Sequence, residues 1–143
     1  MPLSKIKVII DTNIWVSFLI GKTITAYFNK FLKDKRFEIL SSQELYLEIK
    51  EVLFRPKFSK YIKHDEIENF LQIYLIATTL IDVTSKVKSS SDIDDDFLLA
   101  LAKDGKANFL ITGDKPHLLH LKNFEETQII SFSDFYLKFF PRK

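Results

Sequence analysis

Apolar residues follow two patterns along the chain, and each pattern predicts a different kind of secondary structure. Short apolar runs bounded by polar or turn-forming residues predict strands at 6–10, 36–42, 108–112 and 127–130, with a weaker candidate at 81–83. Apolar residues at helical spacing predict helices over residues 14–19, 23–33, 43–54, 64–80, 97–103, 115–121 and 132–140. Strands therefore alternate with helices along the whole sequence.

This alternation predicts the fold class. Strands that are separated by helices pair in parallel, and the helices cover both faces of the resulting sheet. We therefore expect a three-layer α/β/α architecture with a mostly parallel central sheet. The 143 residues contain no repeat, linker or low-complexity segment, so we expect residues 1–143 to form a single domain.

Residues at the predicted helix ends give more local expectations. Thr12 or Asn13 is predicted to cap the first helix, and Ser42 is predicted to cap the helix over 43–54. Thr78 and Thr79 are interpreted as part of the long helix that ends near residue 80.

Composition excludes several kinds of protein. The chain has no Cys, which rules out disulfides, thiolate nucleophiles and zinc–cysteine sites. No stretch approaches the ~20 apolar residues of a membrane span, so we expect a cytoplasmic protein. The net charge of +2 is too small to bind nucleic acid by charge alone.

Two carboxylates follow predicted strands directly. Asp11 comes straight after the strand at 6–10, and Asp114 follows the strand at 108–112 after only Gly113. Ligand sites of open parallel sheets lie beyond the carboxyl ends of the strands, so these two groups can meet at one edge. A lone carboxylate is costly to bury, so a buried Asp is expected to be paired, hydrated or bound to a metal, with capping of the following helix as the alternative role for both residues.

The helix over 43–54 offers a third carboxylate. Glu48 lies roughly 40° beyond the apolar arc of that helix, whereas Glu44 and Glu51 lie further round. Glu48 is therefore the best candidate to stand half-buried at the rim of a cleft.

The segment "SDIDDD" at 91–96 offers a fourth. Part of this cluster is expected to cap the following helix and to complement its dipole. Helix geometry favours an inward direction for Asp95 over Asp96, but it does not separate Asp94 from Asp95.

Converging carboxylates repel unless a cation lies between them. Oxygen ligands without His or Cys suit Mg²⁺ or Mn²⁺, and such ions promote phosphoryl chemistry. No glycine-rich phosphate loop is present, which argues against a P-loop enzyme.

Three motifs in this order resemble one family. The stretches "VIIDTNIWVS", "SSQELYLEIKEVL" and "DIDDDFLLALAKDGKANFLITGDKPHLL" are similar to those of the PIN domain (PilT N-terminus) family, in particular VapC-type toxins of toxin–antitoxin pairs. The resemblance implies a Mg²⁺- or Mn²⁺-dependent endoribonuclease that hydrolyses single-stranded RNA. It also implies a small antitoxin partner and a homodimer.

The resemblance also implies residue roles. The catalytic and metal-binding quartet falls on Asp11, Glu48, Asp95 and Asp114, and the supporting positions fall on Asn13, Thr112, Asp92 and Asp96. The family's proline after the additional acidic position is Ile93 here, a departure that bears on the role of Asp92.

Other interpretations stay open beside this one. The chain can be a catalytically silent binding or assembly module, or a nuclease that processes RNA without being a toxin. A receiver-like phosphotransfer domain is disfavoured because Lys115 directly follows Asp114 and nothing in the sequence itself assigns an Asp to a central strand. His117 and His120 are interpreted as surface residues rather than zinc ligands. The stretch "RPKFSKYIKH" at 55–64 is either an RNA contact or a solvated loop.

Overall fold

The computed structural model describes residues 4–21, 25–87, 93–113 and 116–141, with the backbone alone at 25, 93–95 and 116–117. Within these ranges the strands are β1 Ile6–Ile10, β2 Phe37–Ser41, β3 Thr79–Leu80, β4 Phe109–Ile111, β5 Asn123–Phe124 and β6 Thr127–Ile130. The helices are α1 Thr12–Ile20, α2 Thr25–Leu32, α3 Gln43–Leu53, α4 His64–Ala77, α5 Ile93–Gly105, α6 Pro116–Leu121 and α7 Phe132–Phe139, with a 3-10 helix at Pro56–Phe58.

The described strands form one sheet in the order β3-β2-β1-β4-β6-β5. Every pair is parallel except β5 with β6. Helices flank this sheet, and the predicted mostly parallel α/β architecture is confirmed.

Strand β1 lies at the centre because its residues are apolar on both faces. Val8, Ile9 and Ile10 are fully buried, and the strand pairs with β2 on one side and β4 on the other. The residue that follows β1 is therefore held at the middle of the sheet's carboxyl edge.

The first helix starts differently from the prediction. Asp11 occupies the N-cap position, and its carbonyl oxygen accepts hydrogen bonds from the amides of Ile14 and Trp15. Neither Thr12 nor Asn13 caps α1, because both already lie in its first turn. The prediction for Ser42 is confirmed, since its hydroxyl accepts from the Leu45 amide at 3.2 Å.

The third long helix is shorter than predicted. α4 ends at Ala77, and Thr78 adopts extended backbone angles while its hydroxyl donates to the Tyr74 carbonyl at 2.8 Å. Thr79 begins β3, so the expected strand at 81–83 lies two residues too late. Neighbouring β-branched residues favour extended backbone, which a helical reading of the apolar spacing overlooks.

Two other boundaries also differ. α5 begins at Ile93 rather than after the acidic cluster, so Asp94, Asp95 and Asp96 lie in its first turns. β5 was not predicted; it forms a hairpin with β6 through a turn in which Glu125 has a positive φ of 52°. Two glutamates at a turn lack the Asn or Gly that normally signals one.

No helix in the residues that the structure describes is both long and apolar enough to cross a membrane.

Candidate active site

The carboxylate of Asp11 lies at the carboxyl end of β1 and is fully buried. Its amide donates to the carbonyl oxygen of Ile111 at 2.9 Å, so the ladder between β1 and β4 continues to this residue. Asp11 is therefore positioned by the central part of the sheet rather than by a loop. A carboxylate in this place lacks most of its hydration and depends on nearby donors or cations.

Thr112 supplies one such donor from the neighbouring strand end. It follows β4, is fully buried, and donates from its backbone amide to the Ile130 carbonyl at 3.0 Å. Its hydroxyl donates to Oδ2 of Asp11 at 2.8 Å. Two adjacent strand ends thus meet in a hydrogen bond between the Thr112 hydroxyl and the buried Asp11 side chain.

Glu48 enters the same region from α3. Its side chain is half-buried, and the Thr12 hydroxyl donates a hydrogen bond to its Oε1 atom. Thr12 directly follows Asp11, so one short segment connects the buried carboxylate to the helix that carries Glu48. The structure therefore brings together Asp11, Thr112, Thr12 and Glu48, which we call the carboxylate site.

Thr12 is the one member of the carboxylate site that was not predicted from the sequence. A threonine in a first helical turn has an obvious local use as a cap. Its actual partner lies 36 residues further along the chain, a separation that no local pattern reveals.

The strand on the other side of β1 ends in a neutral pair. Ser41 closes β2, is fully buried, and shares a hydrogen bond with the Tyr74 hydroxyl. Burial raises the pKa of Tyr74 well above its usual range, against a smaller lowering by the Ser41 hydrogen bond. The Tyr74 phenol therefore stays protonated, and this strand end carries no charge.

An arginine follows the C-terminal end of α3, the helix that carries Glu48. Arg55 pairs with Glu51 at 2.8 Å, and both side chains are largely exposed. Its pKa lies above the usual value, chiefly through the Glu51 hydrogen bond, with a small contribution from the charge of Glu48. Arg55 therefore stays charged and is paired with Glu51.

The structure describes the side chains of only some of the remaining predicted residues. Asn13 is exposed on α1, and Asp96 is half-buried in α5. Asp95 lies in α5 as a backbone position, and its side chain is outside the described residues. Asp92 and Asp114 also lie outside them, so the roles assigned to these three residues stay predictions.

The donor chemistry of the carboxylate site fits a hard divalent cation. Asp11 and Glu48 offer carboxylate oxygens, the ligand type that Mg²⁺ and Mn²⁺ prefer. Among the side chains that the structure describes, no three His, Cys, Asp or Glu groups lie close enough to hold a metal. The side chains of Asp92, Asp94, Asp95 and Asp114, which were predicted to lie near this site, are outside the described residues. His120 is exposed, whereas the side chain of His117 lies outside the described residues.

A groove of about 690 Å³ opens beside the site. Thr112 and Gly113 line one part of it, and Ser17, Tyr61 and Ser131 line others. Its other lining residues come from α1 and from the start of α7, so the groove connects the end of β4 with these two helices.

Comparison with known proteins identifies the family. The family model described as "PIN domain" matches residues 7–116. An uncharacterized protein of Methanocaldococcus jannaschii is 28% identical over 136 residues, which cover 94% of this chain and 85% of that protein.

Two crystal structures have a similar fold. VapBC2 from Rickettsia felis, bound to a DNA fragment from their promoter, aligns with a TM-score of 0.60 and 18% identity over 89% of this chain and 99% of that chain. PAE2754 from Pyrobaculum aerophilum aligns with a TM-score of 0.60 and 13% identity over 93% and 88%. At these identities the likeness establishes the fold.

Proposed function

The chain belongs to the PIN domain family, and we propose that it is a Mg²⁺- or Mn²⁺-dependent endoribonuclease that hydrolyses single-stranded RNA. One observation carries the proposal: the fully buried Asp11 carboxylate at the end of the central strand, held by Thr112 and adjacent to the Thr12–Glu48 contact. A protein that only scaffolds a partner gains nothing from this costly arrangement.

In this proposal Asp11 and Glu48, together with Asp95 and Asp114, hold the divalent ions. Held by these residues, a divalent ion would supply Lewis acidity toward a phosphate oxygen and would make a nearby water more acidic. Thr112 fixes the orientation of the Asp11 carboxylate, and Thr12 does the same for Glu48. These hydroxyls keep the ligand oxygens in place between turnovers, as the outer partners of metal ligands generally do. No side-chain nucleophile is required.

The test compares two glutamates of α3. Glu48→Gln removes a proposed ligand charge, whereas Glu44→Gln removes a charge from the exposed first turn of the same helix. Labelled single-stranded RNA is incubated with each protein in Mg²⁺ or Mn²⁺ and in EDTA, with single-stranded DNA and duplex RNA as alternative substrates. We expect cleavage of single-stranded RNA by the wild type and by Glu44→Gln in metal only.

Two outcomes would overturn the proposal. One is cleavage that persists in EDTA or at an unchanged rate in Glu48→Gln. The other is failure of the folded wild type to cleave any of the three nucleic acids, which would favour a binding module.

The likeness to VapBC2 supports a biological role as the toxin of a toxin–antitoxin pair. We propose that the chain forms a homodimer and is inhibited by a small antitoxin. Exposed apolar side chains on α4, including Ile73 and the 86% exposed Ile76, are suited to such contacts. Light scattering measures the dimer, and growth after induction measures toxicity against the Asp11→Asn variant. Cleavage without growth arrest would instead indicate an RNA-processing nuclease.

A further inference from the structure

Positive charge is concentrated in residues 55–63, "RPKFSKYIK", which we call the basic segment. It holds four of the chain's 21 Lys and Arg residues and none of its 19 Asp and Glu residues. Since the whole chain carries a net charge of only +2, this nine-residue segment is far more positive than the average of the chain. Such a local concentration attracts anions even when the net charge of the protein does not.

The basic segment has a fixed conformation. Pro56–Phe58 forms a 3-10 helix, and the amides of Tyr61 and Ile62 both donate to the Phe58 carbonyl, at 2.9 and 3.1 Å. Ile62 anchors the segment in the core with 5% of its surface exposed. These contacts favour a preformed surface over a solvated loop.

The side chains of the segment combine aromatic and cationic groups. The Tyr61 ring is 59% exposed, and the ammonium of Lys60 lies 5.2 Å from its centroid. Lys57 lies similarly over Phe58, at 5.1 Å. Exposed rings beside cations are the usual means of binding single-stranded nucleic acid, because bases stack on the rings while the cations approach phosphates.

The segment also borders the carboxylate site. Tyr61 lines the groove that Thr112 and Gly113 line at its other side. Thr112 in turn donates to Oδ2 of Asp11 at 2.8 Å, so the groove adjoins the carboxylate site. A strand of RNA that places a phosphate at the carboxylates can therefore reach the basic segment without leaving the surface.

We infer that the basic segment binds single-stranded RNA next to the scissile phosphate, with a base stacked on Tyr61 and the backbone held by Lys57 and Lys60. This inference rests on the proposed nuclease function and adds the residues that select an unpaired substrate. A duplex keeps its bases stacked inside the helix, so it cannot offer one to Tyr61.

Binding is measured separately from cleavage. Fluorescence anisotropy of a short labelled single-stranded RNA is recorded in EDTA over a range of salt concentrations. The double variant Lys57→Ala/Lys60→Ala is compared with Lys33→Ala/Lys35→Ala, two exposed lysines that precede β2 at the opposite edge of the sheet. Loss of two phosphate contacts should make the fall of log K with log salt less steep, by about 1.4 in the slope. The control variant should keep the wild-type slope.

The aromatic contribution has its own variants. Tyr61→Ala should weaken RNA binding by about fivefold or more, with the salt slope unchanged, and Tyr61→Phe should retain wild-type affinity. Tyr27→Ala, which removes a half-exposed ring from α2, serves as the matched control. Urea denaturation of each variant verifies that it folds.

The outcomes separate this inference from the proposed function. If the wild type cleaves RNA and the Lys57/Lys60 and Tyr61 variants bind and cleave as it does, the inference is wrong while the nuclease assignment stands. If the wild type neither binds nor cleaves RNA, both are wrong. If these variants keep RNA binding but lose an acidic protein partner, the basic segment is a protein-binding surface and the inference is overturned.

Discussion

Burial has opposite effects in two regions of this protein. In the aromatic cluster, made by Phe31, Phe37, Phe109, Phe135 and Phe139, each ring packs on others; Phe135 alone has the remaining four within 5.3 Å, centroid to centroid. In the carboxylate site, Asp11 is just as inaccessible to water, but its burial opposes folding. Buried rings stabilise the fold directly, whereas a buried carboxylate is a cost that a function must justify.

The largest expected effect tests the aromatic side of this comparison. Phe135→Ala removes a fully buried ring and leaves a cavity, which should lower the free energy of unfolding by about 3–5 kcal/mol. Cleavage per folded molecule should be unchanged, because the carboxylate site lies at the strand ends. Urea denaturation followed by circular dichroism measures the first quantity. Leu137→Ala, at an exposed position of the same helix, should stay within about 0.5 kcal/mol of wild type.

The second prediction is a large loss of cleavage without a loss of stability. Asp11→Asn keeps the size of the side chain and an oxygen that accepts from Thr112, but it removes the charge. Cleavage should fall on the order of 100-fold or more, since even outer partners of metal ligands contribute 10–100-fold. The free energy of unfolding in EDTA should be equal to that of wild type or higher, because the cost of taking a carboxylate out of water is removed. A large loss of stability would instead make Asp11 a structural residue.

The third prediction compares two buried threonines. Thr112→Val removes the hydroxyl that donates to Asp11 at 2.8 Å, and Thr127→Val removes one that donates to the Ala107 carbonyl at 2.7 Å. Each should lose about 1 kcal/mol of stability. Thr112→Val alone should also raise the Mg²⁺ concentration needed for half-maximal cleavage, by about 10-fold or more. Equal metal requirements in the two variants would contradict a role for Thr112 at the metal.

The fold was largely predictable because its signals are local. The apolar runs of β1 and β4 and the cap at Ser42 each depend on a few neighbouring residues, and all were predicted to within about two residues. The misses share a different cause. Thr78 leaves α4 to begin the path into β3, and β5 pairs with β6, so both depend on partners that only the folded sheet supplies.

In the carboxylate site, the placement of Asp11 and Glu48 was easier to predict than the hydrogen bonds around them. Strand ends placed Asp11, and the helix arc placed Glu48; the structure puts both at the carboxyl edge of the sheet. The hydrogen bond from Thr12 to Glu48 was not foreseen, because its two partners are distant in sequence and each has a reasonable local role. Long-range polar contacts carry no periodicity, so the residues that orient a site are harder to predict than those that form it.

The smallest expected effect concerns a carboxylate with a purely structural role. Asp104 of α5 accepts hydrogen bonds from the amides of Thr84 and Ser85, at 2.6 and 2.9 Å, and from the Ser85 hydroxyl. The Ser85 hydroxyl is the main reason that the Asp104 pKa lies below its ordinary value of 3.8. A carboxyl whose pKa is lower in the folded than in the unfolded state stabilises the fold at any pH above its unfolded pKa. This contribution is lost as the pH falls through the folded pKa.

Asp104→Asn should therefore be less stable than wild type near neutral pH, and the difference should shrink as pH falls below about 4. Denaturation midpoints across this range measure the difference, and cleavage per folded molecule should stay at the wild-type level. A stability difference that grows toward low pH would show that Asp104 does not act through its charge, and a fall in cleavage would place it with Asp11 rather than with the structural residues.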